Sequence, residues 1–336
     1  MDIDRESREV ISEQGVASSN HTLGLWIGSV SCAIKCGDDQ LYHRLQHLYR
    51  DFLTERPADI TVNLETTNRL SQNDLSRAIP ETVYTHKAGE GFWTNSQIIA
   101  GKYDLSNRII RIFAESSLGD PDWEFNHLNR LVSLTYYSAC KVKYDGIPPA
   151  MLVHACGILH SGQVIVFAGP NETGKTTIAQ LCSQWGSEVL NDEMLLISRP
   201  SPAGNGIYAQ GAPIVGGTSS RLNISAPLRC ILLLKRSNKT KLNHLGKTEA
   251  YLRFMRQIIT PAYIGQRRGK DVFSLMADFS TELVTATSFY ELEFNLDGDS
   301  LWQTVMELEK SREERTRNDS DTFNPGRRHY LASNRG

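Results

Sequence analysis

The hydrophobic positions in the first half of the chain change their spacing from segment to segment, and each spacing predicts an element. A strand-like run, LGLWIGSVSCAIK, extends from Leu23 to Lys35. After Asp38, hydrophobic residues recur at the spacing of one helix face, at Leu41, Leu45, Leu48 and Phe52. Pro57 ends this helix, and strand-like segments follow at 59–64, 82–86, 91–99, 101–105 and 108–113.

The second half alternates short hydrophobic runs with helical patterns, as α/β domains do. A helix is predicted from Trp123 to Val142, and 144–149 is the predicted linker after it. Strands are predicted at Met151–Leu159, Gln163–Ala168, Glu188–Leu190, Met194–Ile197, Leu228–Lys235, Glu282–Ala286 and Tyr290–Asn295. Further helical patterns lie near 247–259, 269–279 and Ser300–Leu308.

These patterns predict an α/β chain in four parts. We expect a disordered N-terminus at 1–21, a small α+β domain at 22–145, a second domain with a mixed sheet at 146–309, and a disordered charged tail at 310–336. The tail is expected to be disordered because it has almost no hydrophobic periodicity.

Composition narrows the class of protein. The chain has 336 residues, 40% of them hydrophobic, and a net charge of −2, so no basic excess predicts a nucleic-acid or membrane partner. The first ten residues, MDIDRESREV, are too charged for a signal peptide, and no hydrophobic run has the length of a membrane span. The six cysteines are scattered, which is typical of reduced, buried thiols. We therefore expect a cytoplasmic protein, and oligomers are compatible with this composition.

The strongest motif is Gly-x-x-x-x-Gly-Lys-Thr, placed between a predicted strand and a predicted helix. This is the arrangement of a phosphate-binding P-loop, in which glycines let backbone N–H groups wrap around phosphate oxygens. Lys175 would place a positive charge near the β- and γ-phosphates, and the Thr176 hydroxyl would coordinate Mg²⁺. The predicted nucleotide-binding residues are Gly169, Pro170, Asn171, Glu172, Thr173, Gly174, Lys175, Thr176 and Thr177.

A P-loop site also needs a carboxylate near the metal ion. Asp192 and Glu193 follow the next predicted strand. Because adjacent acids on a strand point to opposite faces, one of them would meet the Mg²⁺–phosphate and the other the acceptor or a water. A solvated turn is the alternative interpretation of this pair. His154 lies in a hydrophobic strand before the P-loop, where it is either a site residue or a hydrogen-bonded core histidine.

Two other groups of residues have metal-ligand spacing. His43 and His47 lie four positions apart on the predicted first helix. Cys32 lies in the strand-like run before this helix, and Cys36 directly follows that run. The histidines occupy a polar helix face, and no second ligand pair follows the cysteines. We therefore expect a solvated surface and structural packing, respectively.

The segments VHACGILHSGQVIVFAGPNETGKTTIAQL and GSEVLNDEMLLI resemble the nucleotide-binding core of the HPr kinase/phosphorylase group, which is related to ATP-dependent phosphoenolpyruvate carboxykinase. The resemblance is specific over 150–198 and looser over the rest of 22–305. The stretches around Gly211-Ala212-Pro213, Ala226-Pro227-Leu228 and LGLWIGSVSCAI are similar to HPr-kinase-like proteins that phosphorylate lasso-peptide precursors.

This resemblance implies an HPr kinase-like P-loop domain and a role for each site residue. Lys175 would bind phosphate, Thr176 would hold Mg²⁺ together with Asp192 and Glu193, Asp192 would act as general base, and His154 would assist at the phosphoryl group. Glu193 replaces the second Asp that is usual in the group, and Asn171-Glu172 replaces the usual Ser-Gly. No counterpart of the segment that recognises HPr is evident, so HPr itself is a doubtful substrate.

The sequence thus predicts an ATP- and Mg²⁺-dependent kinase that phosphorylates a Ser or Thr hydroxyl of a peptide or protein, with Lys175, Asp192 and His154 as its catalytic residues. Two alternatives stay open. One is a small-molecule kinase on the same core, and the other is a nucleotide-dependent binding or regulatory protein with little turnover. A motor ATPase is less consistent with the short acidic strand and with the absence of an identifiable arginine finger.

Overall fold

A computed structural model of the protein describes residues 21–67, 85–87, 90–95, 99–104, 106–115, 128–144, 147–200, 206–259, 269–295 and 298–308. The predicted disordered termini, the start of the helix predicted from Trp123 and part of the strand predicted at 82–86 lie outside these residues. Within them, the fold is mixed α/β with two mixed sheets.

The first sheet has seven strands in the described part of the chain, in the order β1-β2-β3-β7-β6-β5-β4. These are β1 His21–Ile27, β2 Val30–Cys36, β3 Ile60–Thr67, β4 Thr85–Lys87, β5 Glu90–Asn95, β6 Ile99–Asp104 and β7 Ile109–Glu115. The strand-like run predicted from Leu23 to Lys35 is confirmed, but it forms two strands because a turn at Gly28 and Ser29 folds it into an antiparallel hairpin. Gly28 has a φ of 60°, which a glycine adopts readily.

Two helices belong to this half of the chain: α1 at Asp39–Leu48 and α2 at Asn129–Lys143. The helix that the sequence predicts after Asp38 is confirmed, and the Asp38 side chain caps it by accepting from the Leu41 backbone N–H at 2.9 Å. Leu41, Leu45 and Leu48 are buried, whereas His43 and His47 are exposed, which confirms the solvated surface predicted for the two histidines.

The second sheet contains nine strands among the described residues. They are β8 Ala150–His160, β9 Gln163–Ala168, β10 Glu188–Asn191, β11 Met194–Ser198, β12 Tyr208–Gly211, β13 Ser225–Arg236, β14 Lys241–His244, β15 Ile258–Ile259 and β16 Ser288–Phe294. Its centre is parallel, since β13 pairs in parallel with β9 on one side and β16 on the other. The long strand β8 is shared, because its first half pairs with β11 and β15 and its second half with β9 and β10.

The helices of this half are α3 at Lys175–Gln184, α4 at Lys247–Phe254, α5 at Gly269–Ala286 and α6 at 298–308. The strand predicted at Glu282–Ala286 is wrong, because those residues form the last turns of α5. Met276, Phe279 and Leu283 are buried at helical spacing, so this segment continues the helix face that precedes it. The sequence also missed β12, which lies between the strands predicted at Met194–Ile197 and Leu228–Lys235.

One hydrophobic core extends from the first sheet across α2 to the face of the second sheet that carries Val164, Val166 and Ala168. A second, smaller core packs α3 and α6 against the opposite face. All six cysteines are buried and free, as predicted. In the described residues, every helix is either too short or too polar to cross a membrane.

Candidate nucleotide-binding site

The loop between β9 and α3 contains both glycines of the motif, and a side chain at either position would meet a neighbouring residue. Gly169 is buried, and a Cβ there would come within 2.8 Å of the Thr173 hydroxyl oxygen. Gly174 has a φ of 106°, and a Cβ there would lie 2.9 Å from Cζ of Phe294. Both positions therefore require glycine for reasons of space, and Gly174 also requires it for its backbone conformation.

Gly174 is the N-cap residue of α3, and no side chain caps the N-terminus of this helix. The amide N–H groups at the start of a helix carry a partial positive charge, which favours an anion at this end. The side chain of Lys175 is 6% exposed, and its Nζ donates to the carbonyls of Gly169 at 3.0 Å and Pro170 at 3.2 Å. The ammonium group is therefore held inside the loop.

Burial lowers the pKa of Lys175, while the negative charges of Glu193 and Asp192 oppose this shift. The two carboxylates are therefore close enough to the lysine to stabilise its charged form. The cation of the loop and the acidic pair belong to one site, although 17 positions separate Lys175 from Asp192 in the sequence.

Asn191, at the end of β10, shapes the bend that carries the acidic pair. Its side chain is fully buried, and its Oδ1 accepts from the backbone N–H groups of Glu193 at 2.7 Å and Met194 at 2.8 Å. Its Nδ2 donates to the carbonyls of Ala212 at 3.2 Å and Ile214 at 2.8 Å. One amide group therefore fixes both the acidic bend and the segment that leads to Gly216.

Asp192 is 1% exposed, and its carboxylate lies under the segment Gly216-Gly217-Thr218. The Thr218 hydroxyl donates to Oδ1 at 2.9 Å, and the Thr218 backbone N–H lies 3.2 Å from each carboxylate oxygen. A Cβ on Gly217 would lie 3.0 Å from Oγ1 of Thr176 and 3.2 Å from Oδ2 of Asp192. The missing side chain of Gly217 thus lets the Thr176 hydroxyl and the Asp192 carboxylate approach the same point.

Glu193 turns towards His154 instead. Oε1 of Glu193 lies 3.4 Å from Nε2 of His154, and the two side chains are 19% and 15% exposed. Nε2 is buried and makes no hydrogen bond within the described structure. His154 shares the α3 face of β8 with Cys156 and Ile158, and it comes one residue before Ala155, which pairs with the last residue of β9. His154 is therefore not a satisfied core histidine and lies beside the start of the loop.

The structure brings together all the residues predicted to be catalytic or metal-binding. Pro170, Asn171 and Glu172 are exposed at the tip of the loop, and Thr173, Gly174, Thr176 and Thr177 are partly exposed. In the described residues, no group of three or more His, Cys, Asp or Glu side chains forms a preformed metal site. Mg²⁺ is usually held by one or two carboxylates together with substrate phosphates, so Thr176 and Asp192 beside Gly217 fit this ion.

Sequence reasoning missed four residues that shape the site: Asn191, Gly217, Thr218 and Asn129. The Asn129 side chain in α2 forms two hydrogen bonds with the backbone of Val215. It donates to the carbonyl at 2.8 Å and accepts from the N–H at 2.7 Å. The Gly-Gly-Thr sequence was visible, but it is typical of any turn. Asn129 carries no local signal, since its partner lies 86 positions away.

Comparison with protein-family models finds no model that matches the chain, and comparison with curated proteins finds no significant match. The function proposed below therefore rests on the residues of the site and on the resemblance described above.

Proposed function

We propose that this protein is an ATP-dependent kinase that transfers the γ-phosphoryl group to a Ser or Thr hydroxyl of a peptide or protein, on an HPr kinase-like core. The observation that carries the proposal is the convergence of Lys175, Thr176, Asp192, Glu193 and His154 at one end of a glycine-rich loop. A cation, a hydroxyl and two carboxylates around a phosphate cradle are the groups that phosphoryl transfer requires.

The loop supports the nucleotide part of the proposal. The uncapped N-terminus of α3 and the ammonium of Lys175 supply donors and positive charge for the phosphate chain. Gly169 and Gly174 keep the loop free of side chains where the backbone must approach a ligand. Mg²⁺, when bound, would neutralise charge on the phosphates, and Thr176 and Asp192 are the residues placed to hold it.

The surroundings of Asp192 support a hydroxyl as the acceptor. Its carboxylate already accepts a hydrogen bond from a hydroxyl group, that of Thr218 at 2.9 Å. A substrate hydroxyl that replaced the Thr218 hydroxyl would make the same bond, from which the carboxylate can accept the proton during transfer. Nε2 of His154 is buried, lies 3.4 Å from the Glu193 carboxylate and makes no hydrogen bond in the described structure, so this nitrogen could donate to the phosphoryl group.

One observation favours the nucleotide-dependent binding protein instead. Asp192 is 1% exposed, so an acceptor reaches it only after the 216–218 segment moves aside. If this segment never moves, the site binds nucleotide without turning it over. A small-molecule kinase would require the same movement, and the choice of acceptors in the assay separates it from a peptide kinase.

Two substitutions separate these functions. Lys175→Ala removes the cation of the loop and should abolish measurable Mg·ATP binding by calorimetry. Asp192→Asn keeps the shape of the side chain but removes the proton acceptor. It should lower the turnover rate by about 10²–10⁴. Because Asp192 is also placed to hold Mg²⁺, the affinity that should stay within about threefold of wild type is that for ATP measured without Mg²⁺.

The assay follows phosphate transfer from labelled ATP to a panel of Ser- and Thr-containing peptides and small hydroxyl compounds, with ADP release measured in parallel. Equal ATP affinity in wild type and Lys175→Ala would refute the nucleotide site. If wild type binds ATP but forms ADP no faster than Asp192→Asn, the kinase proposal fails and the binding-protein function replaces it. Labelling of small compounds alone would identify a small-molecule kinase.

A further inference from the structure

The carboxyl ends of three parallel strands, β9, β13 and β16, meet at the edge of the sheet where the glycine-rich loop lies. Ala168 at the end of β9 pairs with Leu233 of β13. Arg236 comes three residues after Leu233, so it lies about 10 Å beyond the end of β9 along the strand direction. In open α/β sheets, ligands bind beyond the carboxyl ends of the strands. Arg236 therefore lies at the level of the loop.

The alternation of side chains along β13 places Arg236 on the same face as α3. Leu232 and Leu234 belong to the core that contains Ile178 and Cys182 of α3, whereas Leu233 belongs to the core on the opposite face. The pairing of β13 with β16 is unbroken up to Arg236, so this alternation continues to the end of the strand.

The neighbours of Arg236 on that face touch the loop directly. A Cβ on Gly169 would lie 3.3 Å from Cβ of Leu234, two residues before Arg236. The partner of Arg236 on β16 is Phe294, whose ring would contact a Cβ on Gly174 at 2.9 Å. Arg236 therefore neighbours, on the same face, two residues that each lie against a glycine of the loop.

The charge of Arg236 is also available. The adjacent Lys235 points to the other face, where its Nζ lies 3.1 Å from Glu293 and 3.5 Å from Glu291. Arg236 is exposed, and its guanidinium makes no ion pair or hydrogen bond among the described residues. A guanidinium can form two parallel hydrogen bonds to phosphate oxygens, which suits a ligand that carries several of them.

We propose that Arg236 is a second cationic ligand of the nucleotide, which contacts the phosphate chain of a nucleoside di- or triphosphate held by the 169–177 loop. This inference rests on the nucleotide binding proposed above. It adds a residue that would supply further positive charge to the phosphate groups, besides that of Lys175. It also provides an arginine near the site, which the sequence pattern alone did not identify.

The test measures the affinities of Mg·ATP, Mg·ADP and magnesium tripolyphosphate by calorimetry for wild type and Arg236→Gln. Loss of one charge-assisted contact should weaken all three about tenfold. Arg236→Lys, which keeps the charge but not the bidentate geometry, should recover part of the loss. Lys35→Gln on β2 of the first sheet removes an exposed positive charge from a different sheet, and should leave the affinities unchanged.

The outcomes separate this inference from the proposed function. If Lys175→Ala loses ATP but Arg236→Gln binds within twofold of wild type, the role of Arg236 is refuted and the nucleotide site stands. A loss confined to ATP and ADP, with tripolyphosphate unaffected, would refute the phosphate contact and place Arg236 against the nucleoside. If wild type binds none of the three ligands, both proposals fall together.

Discussion

The amide of Asn191 provides the most direct test of how the site is held together. Its four hydrogen bonds join the acidic bend to the carbonyls of Ala212 and Ile214 in a fully buried position. Asn191→Ala leaves these two carbonyls and the N–H groups of Glu193 and Met194 without that partner. Each buried group left unsatisfied costs about 1–3 kcal/mol, but water can reach the partly buried N–H groups, so we expect a total loss of about 3 kcal/mol.

The measurement is thermal and urea unfolding of the purified protein. A loss of about 3 kcal/mol corresponds to a fall in melting temperature of about 4 °C in a protein of 336 residues, whose unfolding entropy is about 0.7 kcal/mol/K. The matched control is Asn238→Ala, since Asn238 is exposed and its side chain makes no hydrogen bond in the described structure. The control should change stability by less than about 0.5 kcal/mol.

A second variant, Asn191→Asp, tests the direction of the hydrogen bonds. The new carboxylate would face the carbonyls of Ala212 and Ile214, so the pKa of this carboxyl in the folded protein should rise above its unfolded value of about 3.9. The ionised carboxylate therefore destabilises the folded protein at neutral pH. The loss in free energy of unfolding relative to wild type should become smaller as the pH falls from 7 towards 4. A deficit that does not change with pH, or a fall of less than about 2 °C for Asn191→Ala, would refute this account of the bend.

Two further predictions concern the loop and the thiols. Glu172 has a φ of 64°, which costs a residue other than glycine about 1 kcal/mol. Glu172→Gly should therefore raise the melting temperature by about 2 °C. It should also tighten ATP binding, because it removes a carboxylate from the loop. Glu172→Ala removes the charge but keeps the unfavourable backbone, so an equal rise in melting temperature for both variants would contradict the backbone explanation. Burial raises the pKa of Cys32, Cys140, Cys182 and Cys230 to about 12, so a thiol-specific disulfide reagent at pH 8 should modify less than one thiol per native chain and all six after denaturation. These folded pKa values exceed the unfolded value of about 8.5, so the buried neutral thiols contribute to the free energy of unfolding below pH 8.5, and this contribution is lost as the pH rises towards 12. Rapid modification of the native protein at pH 8 would contradict the burial of the thiols.

The sequence determined the features that depend on neighbouring residues. The cap of α1 at Asp38, the hairpin of β8 and β9, and the strand–loop–helix around Gly169–Thr176 each follow from residues a few positions apart. The sequence misjudged segments whose local pattern fits two structures. The hydrophobic run from Leu23 to Lys35 could be one strand or a hairpin, and 282–286 could be a short strand or the end of a helix.

The tertiary structure decided how the site is completed. Three contacts complete it: Thr218 lies on Asp192, Gly217 lies between Thr176 and Asp192, and Asn129 binds Val215. These contacts join residues that lie 25 to 86 positions apart. Such contacts arise from the order of strands in the second sheet and from the packing of α2 against it, neither of which leaves a periodic signal in the chain. Local hydrogen bonds and side-chain spacing can be predicted from a few neighbouring residues, whereas contacts across the fold exist only once the hydrophobic core has fixed the elements relative to one another.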